Sequence, residues 1–177
     1  RLLASYGRPW VTKDEMRPHD LPPDKMDFHI PYRRDGKTLR WSRIWNFAPD
    51  ADYELFVQAP PDSRMHDDPL SEVGCPYVVR GFDYDYVGVL WLRDLLWRDG
   101  RWTVDTSAVY ESALRLTLGR AKKETKRSEP GVATEDLVRQ IARGYRVLLS
   151  RALAGAYVWF EDRETREHVE GLLSGRL

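Results

Sequence analysis

Cysteine is almost absent from this sequence: Cys75 stands alone among 177 residues. No intrachain disulfide can staple the fold, and the thiol's place inside an apolar run gives it a packing role in a reducing compartment. An excess of either charge is also lacking, since 28 Lys and Arg balance 28 Asp and Glu. That balance excludes a global field drawing the chain to nucleic acid or membrane, so any such contact must come from a local patch. No apolar run approaches the roughly 18 residues of a membrane span, and no charged-then-apolar leader opens the chain. A cytoplasmic protein without a membrane partner is expected. His19, His29, His66 and His168 are isolated from one another and Cys75 has no Cys or His at ligand spacing, so no metal site is expected. The pattern Gly-x-x-x-x-Gly-Lys-Ser/Thr is missing too, and with it the phosphate cradle and magnesium site of a P-loop enzyme. Among the many Asp residues, no pair has a spacing that selects a hydrolytic mechanism.

What is present centres on Glu72–Leu92. Val73 to Val79 and Tyr86 to Leu92 are rich in β-branched and aromatic residues with little polar alternation, which predicts two strands buried on both faces, as in a parallel sheet covered by helices. The link from Arg80 to Asp85 is too short for a crossover helix. Its acidic residues must therefore lie near strand ends, where open α/β sheets bind ligands.

The rest of the chain supplies the other layers. Arg1 to Ser5 reads as a strand. From Val11 to Pro31, prolines 18, 22, 23 and 31 forbid a long helix or central strand, and residues 6–71 as a whole read as a loop and hairpin excursion. Phe28 to Trp45 is expected to be a hairpin around Asp35-Gly36, because a type I′ turn needs positive φ at both central residues. Its Arg33, Arg34, Lys37, Arg40 and Arg43 interleave with Tyr32, Trp41 and Trp45. Such a mixture can hold phosphates by charge while stacking bases, or it can be a solvated hairpin whose tryptophans cap the core. A second hairpin is expected at Asp99-Gly100, flanked by Trp97 and Trp102. Thr106 or Ser107 would cap a helix carrying Val109, Tyr110, Ala113, Leu114, Leu118 and Ala121. Its polar continuation from Arg120 to residue 127 would be a solvated segment. Thr134 would cap a long helix stopped by Gly155, with Leu137, Val138, Ile141, Tyr145, Leu148, Leu149 and Ala152 in one arc and Arg139, Arg143 and Arg146 pointing away. Arg151 falls on the flank of that arc, an interface position. Ala156 to Phe160 reads as a strand, and Asp162 as the cap of a last amphipathic helix with Val169, Leu172 and Leu173, where His168 would lie at the surface.

Two stretches carry a family resemblance. Arg80-Gly81-Phe82-Asp83-Tyr84-Asp85 and the strand after it resemble motif V of superfamily 1 helicases, and more narrowly a Schlafen-like, helicase-related bacterial family of unknown function. There the turn reads Gln-Gly-Phe-Glu-Phe-Asp-Tyr-Val-Gly-Val, which Gly81, Phe82, Asp85, Tyr86, Val87, Gly88 and Val89 match; Arg80 replaces Gln and Asp83 replaces Glu. Further along, Tyr145, Val147, Leu148, Leu149 and Arg151 match the motif VI-like Asn-x-Tyr-x-Val-Leu-Leu-Thr-Arg, with Arg143 in place of Asn and Ser150 in place of Thr. Tyr6 and Trp10, Trp45-Asn46, and Asp94, Leu95, Asp99, Gly100 and Trp102 supply weaker anchors.

The resemblance implies a three-layer RecA-like α/β domain of P-loop NTPase type, with a mainly parallel sheet and β-hairpin insertions. Residues 1–177 would form one C-terminal domain cut from a longer protein. It also implies that Arg151 reaches a nucleotide γ-phosphate, that Gly81, Asp83 and Asp85 contribute nucleotide contacts, and that ATP and Mg bind through an N-terminal RecA-like partner domain, none being held tightly by this chain alone. On this reading the chain holds half an ATPase site and acts on DNA or RNA through Arg33, Arg34, Lys37, Arg40 and Trp41. The alternative is a non-catalytic α/β module that binds nucleic acid or a partner through the basic aromatic hairpin.

Overall fold

The computed structural model describes residues 1–48, 53–126 and 131–175. Its eight strands are β1 (Leu2–Ala4), β2 (Phe28–Arg34), β3 (Lys37–Trp45), β4 (Glu72–Gly74), β5 (Tyr84–Trp91), β6 (Leu96–Arg98), β7 (Arg101–Thr103) and β8 (Ala152–Phe160). Five α-helices accompany them among these residues: α1 (Glu54–Gln58), α2 (Arg64–Asp67), α3 (Arg115–Thr125), α4 (Val132–Leu149) and α5 (Arg163–Leu173). Six strands form one sheet in the order β2-β3-β4-β1-β5-β8, and β6 and β7 form a separate ribbon. Every pairing in the large sheet is parallel except the β2–β3 hairpin. The fold is thus a mixed α/β architecture with a mostly parallel sheet flanked by helices.

The two Asp-Gly turns form as their sequence dictates, with φ of 50° and 72° at Asp35 and Gly36 and of 50° and 74° at Asp99 and Gly100. The expected strand from Val73 to Val79 is shorter. β4 ends at Gly74, and Pro76, which cannot donate a ladder hydrogen bond, opens a series of turns closed by Arg80 N to Tyr77 O at 3.4 Å and Phe82 N to Val79 O at 3.1 Å. Cys75, Val78 and Val79 are still buried, so this apolar run serves the core as a folded-over turn. Nor are β4 and β5 neighbours. β1 inserts between them, with Leu2 opposite both Val73 and Gly88, where Gly88 makes room: a Cβ there would stand 2.8 Å from Leu2 Cδ2.

Several other boundaries move. Val109 and Tyr110 lie in a loop, and the helix expected from Thr106 begins as a 3-10 turn at Ser112–Leu114 that leads into α3. Residue 127 falls outside the described residues. Thr134 lies inside α4. The cap comes from Glu124 of α3, whose carboxylate accepts from Ala133 N at 3.1 Å and Thr134 N at 2.8 Å, satisfying amides that the first turn leaves free. α4 ends at Leu149, well before Gly155, which belongs to β8. Its buried residues Leu137, Ile141, Tyr145 and Leu148 follow helical spacing.

β5 is buried on both faces only toward its end, where Leu90 and Trp91 are both buried, and no residue of β8 is fully buried. Val87, Val89 and Trp91 pair with Ala156, Val158 and Phe160, and Trp91 stacks on Tyr145 of α4 at 4.2 Å. Alternation turns Tyr86, Tyr157 and Trp159 to the other face, where Tyr86 and Tyr157 are exposed and 6.2 Å apart. β8 is an edge strand with one solvated face. Leu172 and Leu173 of α5 are likewise exposed.

Candidate functional site

The turn before β5 and the residue after α4 meet at one place. Gly81 has φ of +87° with open space where a Cβ would go, so the backbone conformation, not crowding, calls for glycine. The chain then enters β5 through Tyr84, whose N–H donates to the carbonyl of Arg151 at 2.8 Å. That bond aligns the beginnings of β5 and β8 and brings Arg151 Nη1 to 3.0 Å from Asp83 Oδ1. Arg151 Nη2 also donates to Ser150 Oγ at 3.2 Å. The Arg151 side chain is 23% exposed and that of Asp83 47%, leaving the pair at a surface edge with the guanidinium the better shielded member. Gly81 is exposed beside this pair, while Asp85 is exposed on β5 and enters no ion pair among the described residues.

A buried network holds the helix that presents Arg151. The Tyr145 hydroxyl donates to Asp94 Oδ1 at 2.7 Å, accepts from Leu92 N at 2.8 Å and lies 2.9 Å from Ser5 Oγ. Three elements are thereby locked: the segment after β1, the segment after β5, and α4. Burial raises the Asp94 carboxyl to about 6 against the opposing hydrogen bond from Tyr145. The Tyr145 phenol is pushed well above its ordinary value, first by burial and then by the Asp94 charge. Neither residue stood out as polar machinery in the sequence. The available signal was a single Asp closing an apolar strand.

At the other end of the sheet the β2–β3 hairpin projects from the core. Residues 31 to 40 are all exposed. The pairing sets Ile30 opposite Trp41, Tyr32 opposite Leu39 and Arg34 opposite Lys37, and it sets Pro31 opposite Arg40 and Arg33 opposite Thr38. Directly opposed residues share a face and alternate residues do not. Arg34, Lys37 and Trp41 therefore line one face with Tyr32, whereas Arg33 and Arg40 line the reverse. The five residues expected to act together divide into two sets, and Tyr32 joins the aromatic one. Trp41 is half-buried beneath Arg43, whose guanidinium lies 5.3 Å from its ring centre, and Arg43 is itself paired with Asp68 at 3.7 Å.

His168 stacks on Trp97 with ring centres 3.5 Å apart, so it is a packing residue and not a bare surface one. Among the described residues, no group of three or more His, Cys, Asp or Glu is placed to hold a metal, and no helix is long and apolar enough to cross a membrane.

Comparison with known proteins bears on both regions. The family model described as Schlafen group 3, DNA/RNA helicase domain matches residues 1–162, a span that takes in the hairpin, the Gly81 turn and Arg151. An uncharacterized protein of Saccharomyces cerevisiae is 28% identical over 142 residues, a match that covers 80% of this chain and 30% of the yeast protein. The chain thus spans about a third of that relative's length. No solved structure matches it.

Proposed function

Because the chain belongs to the Schlafen group 3 DNA/RNA helicase domain family, we propose that it is the C-terminal RecA-like motor domain of a superfamily 1 helicase-related ATPase acting on DNA or RNA. In this reading the Gly81–Asp85 turn and Arg151 form this domain's share of an ATP site completed by an N-terminal RecA-like domain. The observation that supports it most is the Arg151–Asp83 pair at 3.0 Å, which joins the motif V-like and motif VI-like segments at one surface edge.

ATP with magnesium would supply the phosphoanhydride, and the residues here fit half of its site. Arg151 offers a planar, permanently charged guanidinium suited to paired phosphate oxygens, whereas no glycine-rich phosphate cradle exists in this chain. Asp83 would hold Arg151 oriented at the domain edge. Tyr145, fixed by Asp94 and Ser5, would keep the end of α4 in place behind it.

Steady-state ATPase assays on the full-length protein test this. Arg151→Ala should leave thermal stability intact and lower turnover by about 10³ or more, as for other arginine fingers, and Arg151→Lys should restore little, because a point charge lacks the bidentate geometry. Near-normal turnover by Arg151→Ala at unchanged stability would overturn the motor assignment. A second reading is favoured by one feature: Asp83 already neutralises Arg151, while the exposed Arg33, Lys37 and Arg40 of the hairpin enter no ion pair among the described residues. It is a non-catalytic nucleic-acid-binding module, and it would show oligonucleotide binding with no ATP turnover in the parent protein.

A further inference from the structure

A cavity of about 320 Å³ lies between α4 and the chain segments that follow β1, β4 and β5. Those three strands are parallel and adjacent, so the cavity sits beyond their carboxyl ends, the position at which open α/β sheets receive ligands. Its lining is graded in charge. Ser5 and Asp94, 5% and 2% exposed and both engaged with the Tyr145 hydroxyl, form a buried polar floor, while exposed Arg80 and Arg143 stand at the rim. Neither arginine enters an ion pair with a described residue. The guanidinium of Arg80 lies 5.2 Å from the centre of the Tyr77 ring, and the Tyr77 hydroxyl donates to Glu111, the one rim carboxylate, at 2.8 Å.

Gly144 supplies a second, independent observation. It lies in the interior of α4, where glycine costs about 1 kcal/mol relative to alanine. Close packing does not require it, because a Cβ there would meet only Pro76 Cγ, at 3.8 Å. What glycine preserves at this position is the volume of the cavity, which it lines.

We propose that this cavity binds a small phosphate monoester carrying a single flat ring: the phosphate sits between Arg80 and Arg143 at the rim, and the ring lies inward above the buried polar floor. Two guanidiniums match the charge and oxygen geometry of a phosphate dianion. The volume is at the small end of ligand pockets, which suits a single ring and not a longer chain. The site is separate from the Arg151–Asp83 edge and does not depend on the motor reading.

Calorimetric titration of the full-length protein with 4-aminophenyl phosphate tests it. The parent should bind this probe, and should show no heat with 4-aminophenol, which lacks the phosphate. Arg80→Gln and Arg143→Asn should each weaken binding about tenfold or more, as for loss of a charge-assisted contact, whereas Arg146→Gln, on the same helix but outside the cavity lining, should leave it within about twofold, with no such contact to lose. Gly144→Leu should abolish binding while holding or raising Tm, since it fills the cavity and improves the helix. Absence of binding by the parent at millimolar probe, equal losses from all three arginine variants, or full binding by Gly144→Leu would each overturn the proposal. Tighter displacement of the probe by a 5′-phosphorylated oligonucleotide would reassign the site to a strand end and overturn the small-molecule assignment.

Discussion

The two Asp-Gly hairpins begin from the same local instruction and end in different roles. Their central φ values agree within a few degrees, and each is flanked by aromatic and arginine residues. β6–β7 is tied down. Arg98 grips both carboxylate oxygens of Asp162, with Nη1 to Oδ1 at 2.9 Å, and also pairs with Glu164; Trp97 N donates to Thr165 Oγ1 at 3.0 Å, and Trp97 lies flat against His168. Among the described residues, β2–β3 is held at its root. There Asp27 accepts from Val11 N, Thr12 N and Trp45 N at 2.8, 3.1 and 2.8 Å, and beyond Ile30 the arm projects into solvent. A turn sequence fixes the chain reversal, and partners distant in sequence decide whether the arm becomes packing or interface.

The strongest way to break this contrast is to remove Asp162. Its carboxylate caps α5 through Thr165 N at 2.8 Å while holding Arg98, so Asp162→Ala should cost about 2–4 kcal/mol from a lost cap and lost charge-assisted bonds. Denaturant melts would measure it. Removing Arg34 or Lys37 at the free tip should leave stability unchanged within about 0.5 kcal/mol, as for surface changes. The pH dependence has a definite sign. Arg98 first, and Thr165 next, hold the Asp162 carboxyl well below the usual carboxylate range. A depressed folded pKa means that the stabilisation is present above the unfolded value and is lost as pH falls below it. Buried Asp94 has the opposite sign: raised to about 6, it contributes stability that is greatest in acid and declines as pH rises from about 4 to 6. Asp162→Ala should therefore remove an acid-side loss of stability, and a loss that persisted in the variant would show that β6–β7 is not anchored through this pair.

The contrast between hairpins also marks how far the sequence was legible. Both turns, β5, and most of α4 follow from local signals: Asp-Gly pairs, a β-branched run, and apolar residues at helical spacing. Errors arose where an apolar run could satisfy the core in more than one conformation. Cys75, Val78 and Val79 are as buried as strand residues would be, yet they belong to a turning segment, and composition does not separate the two. Long-range partners were invisible as well. The capping of α4 by Glu124, the insertion of β1 between β4 and β5, and the Asp94–Tyr145 bond each join residues that no periodicity connects. For the candidate site, the resemblance named Asp83 and Arg151 separately, and their pairing was not written in either motif. Alternation along β2 and β3 was available from the start and divides the hairpin's cations into two faces once the register is known.

That division sharpens the comparison in a second way. If the free arm binds single strands, the aromatic face should dominate: Trp41→Ala and Tyr32→Ala should each cost about 1–3 kcal/mol of binding, the range for base stacking. Arg34→Ala or Lys37→Ala should weaken binding less and reduce the slope of log affinity against log salt by about one counterion. Arg40→Ala and Arg33→Ala, on the reverse face, should have the smaller effect, and the corresponding tryptophan of the anchored hairpin, Trp97, should have none on binding. Fluorescence anisotropy of a labelled oligonucleotide across a salt series would read all of these. Equal losses from both faces would show that the arm binds by charge alone.

The smallest effect isolates the turn itself. Gly36 and Gly100 both have positive φ and open space where a Cβ would go, so Gly→Ala imposes at each the same local strain, about 1 kcal/mol, with no clash added. What differs is where that strain is felt. At Gly100 the ribbon is fastened to α5 and to Trp91 through Trp102, so the whole cost should appear in the global unfolding free energy. At Gly36 the tip can fray without disturbing the buried root at Phe28 and Trp45, and local opening can relieve the strain below the global transition. Gly36→Ala should therefore shift the melt by less than half as much as Gly100→Ala, while faster amide exchange appears at residues 33 to 38. Equal shifts from the two substitutions would mean that the β2–β3 arm is coupled to the core along its full length, and it would then no longer be the free arm that the nucleic-acid reading requires.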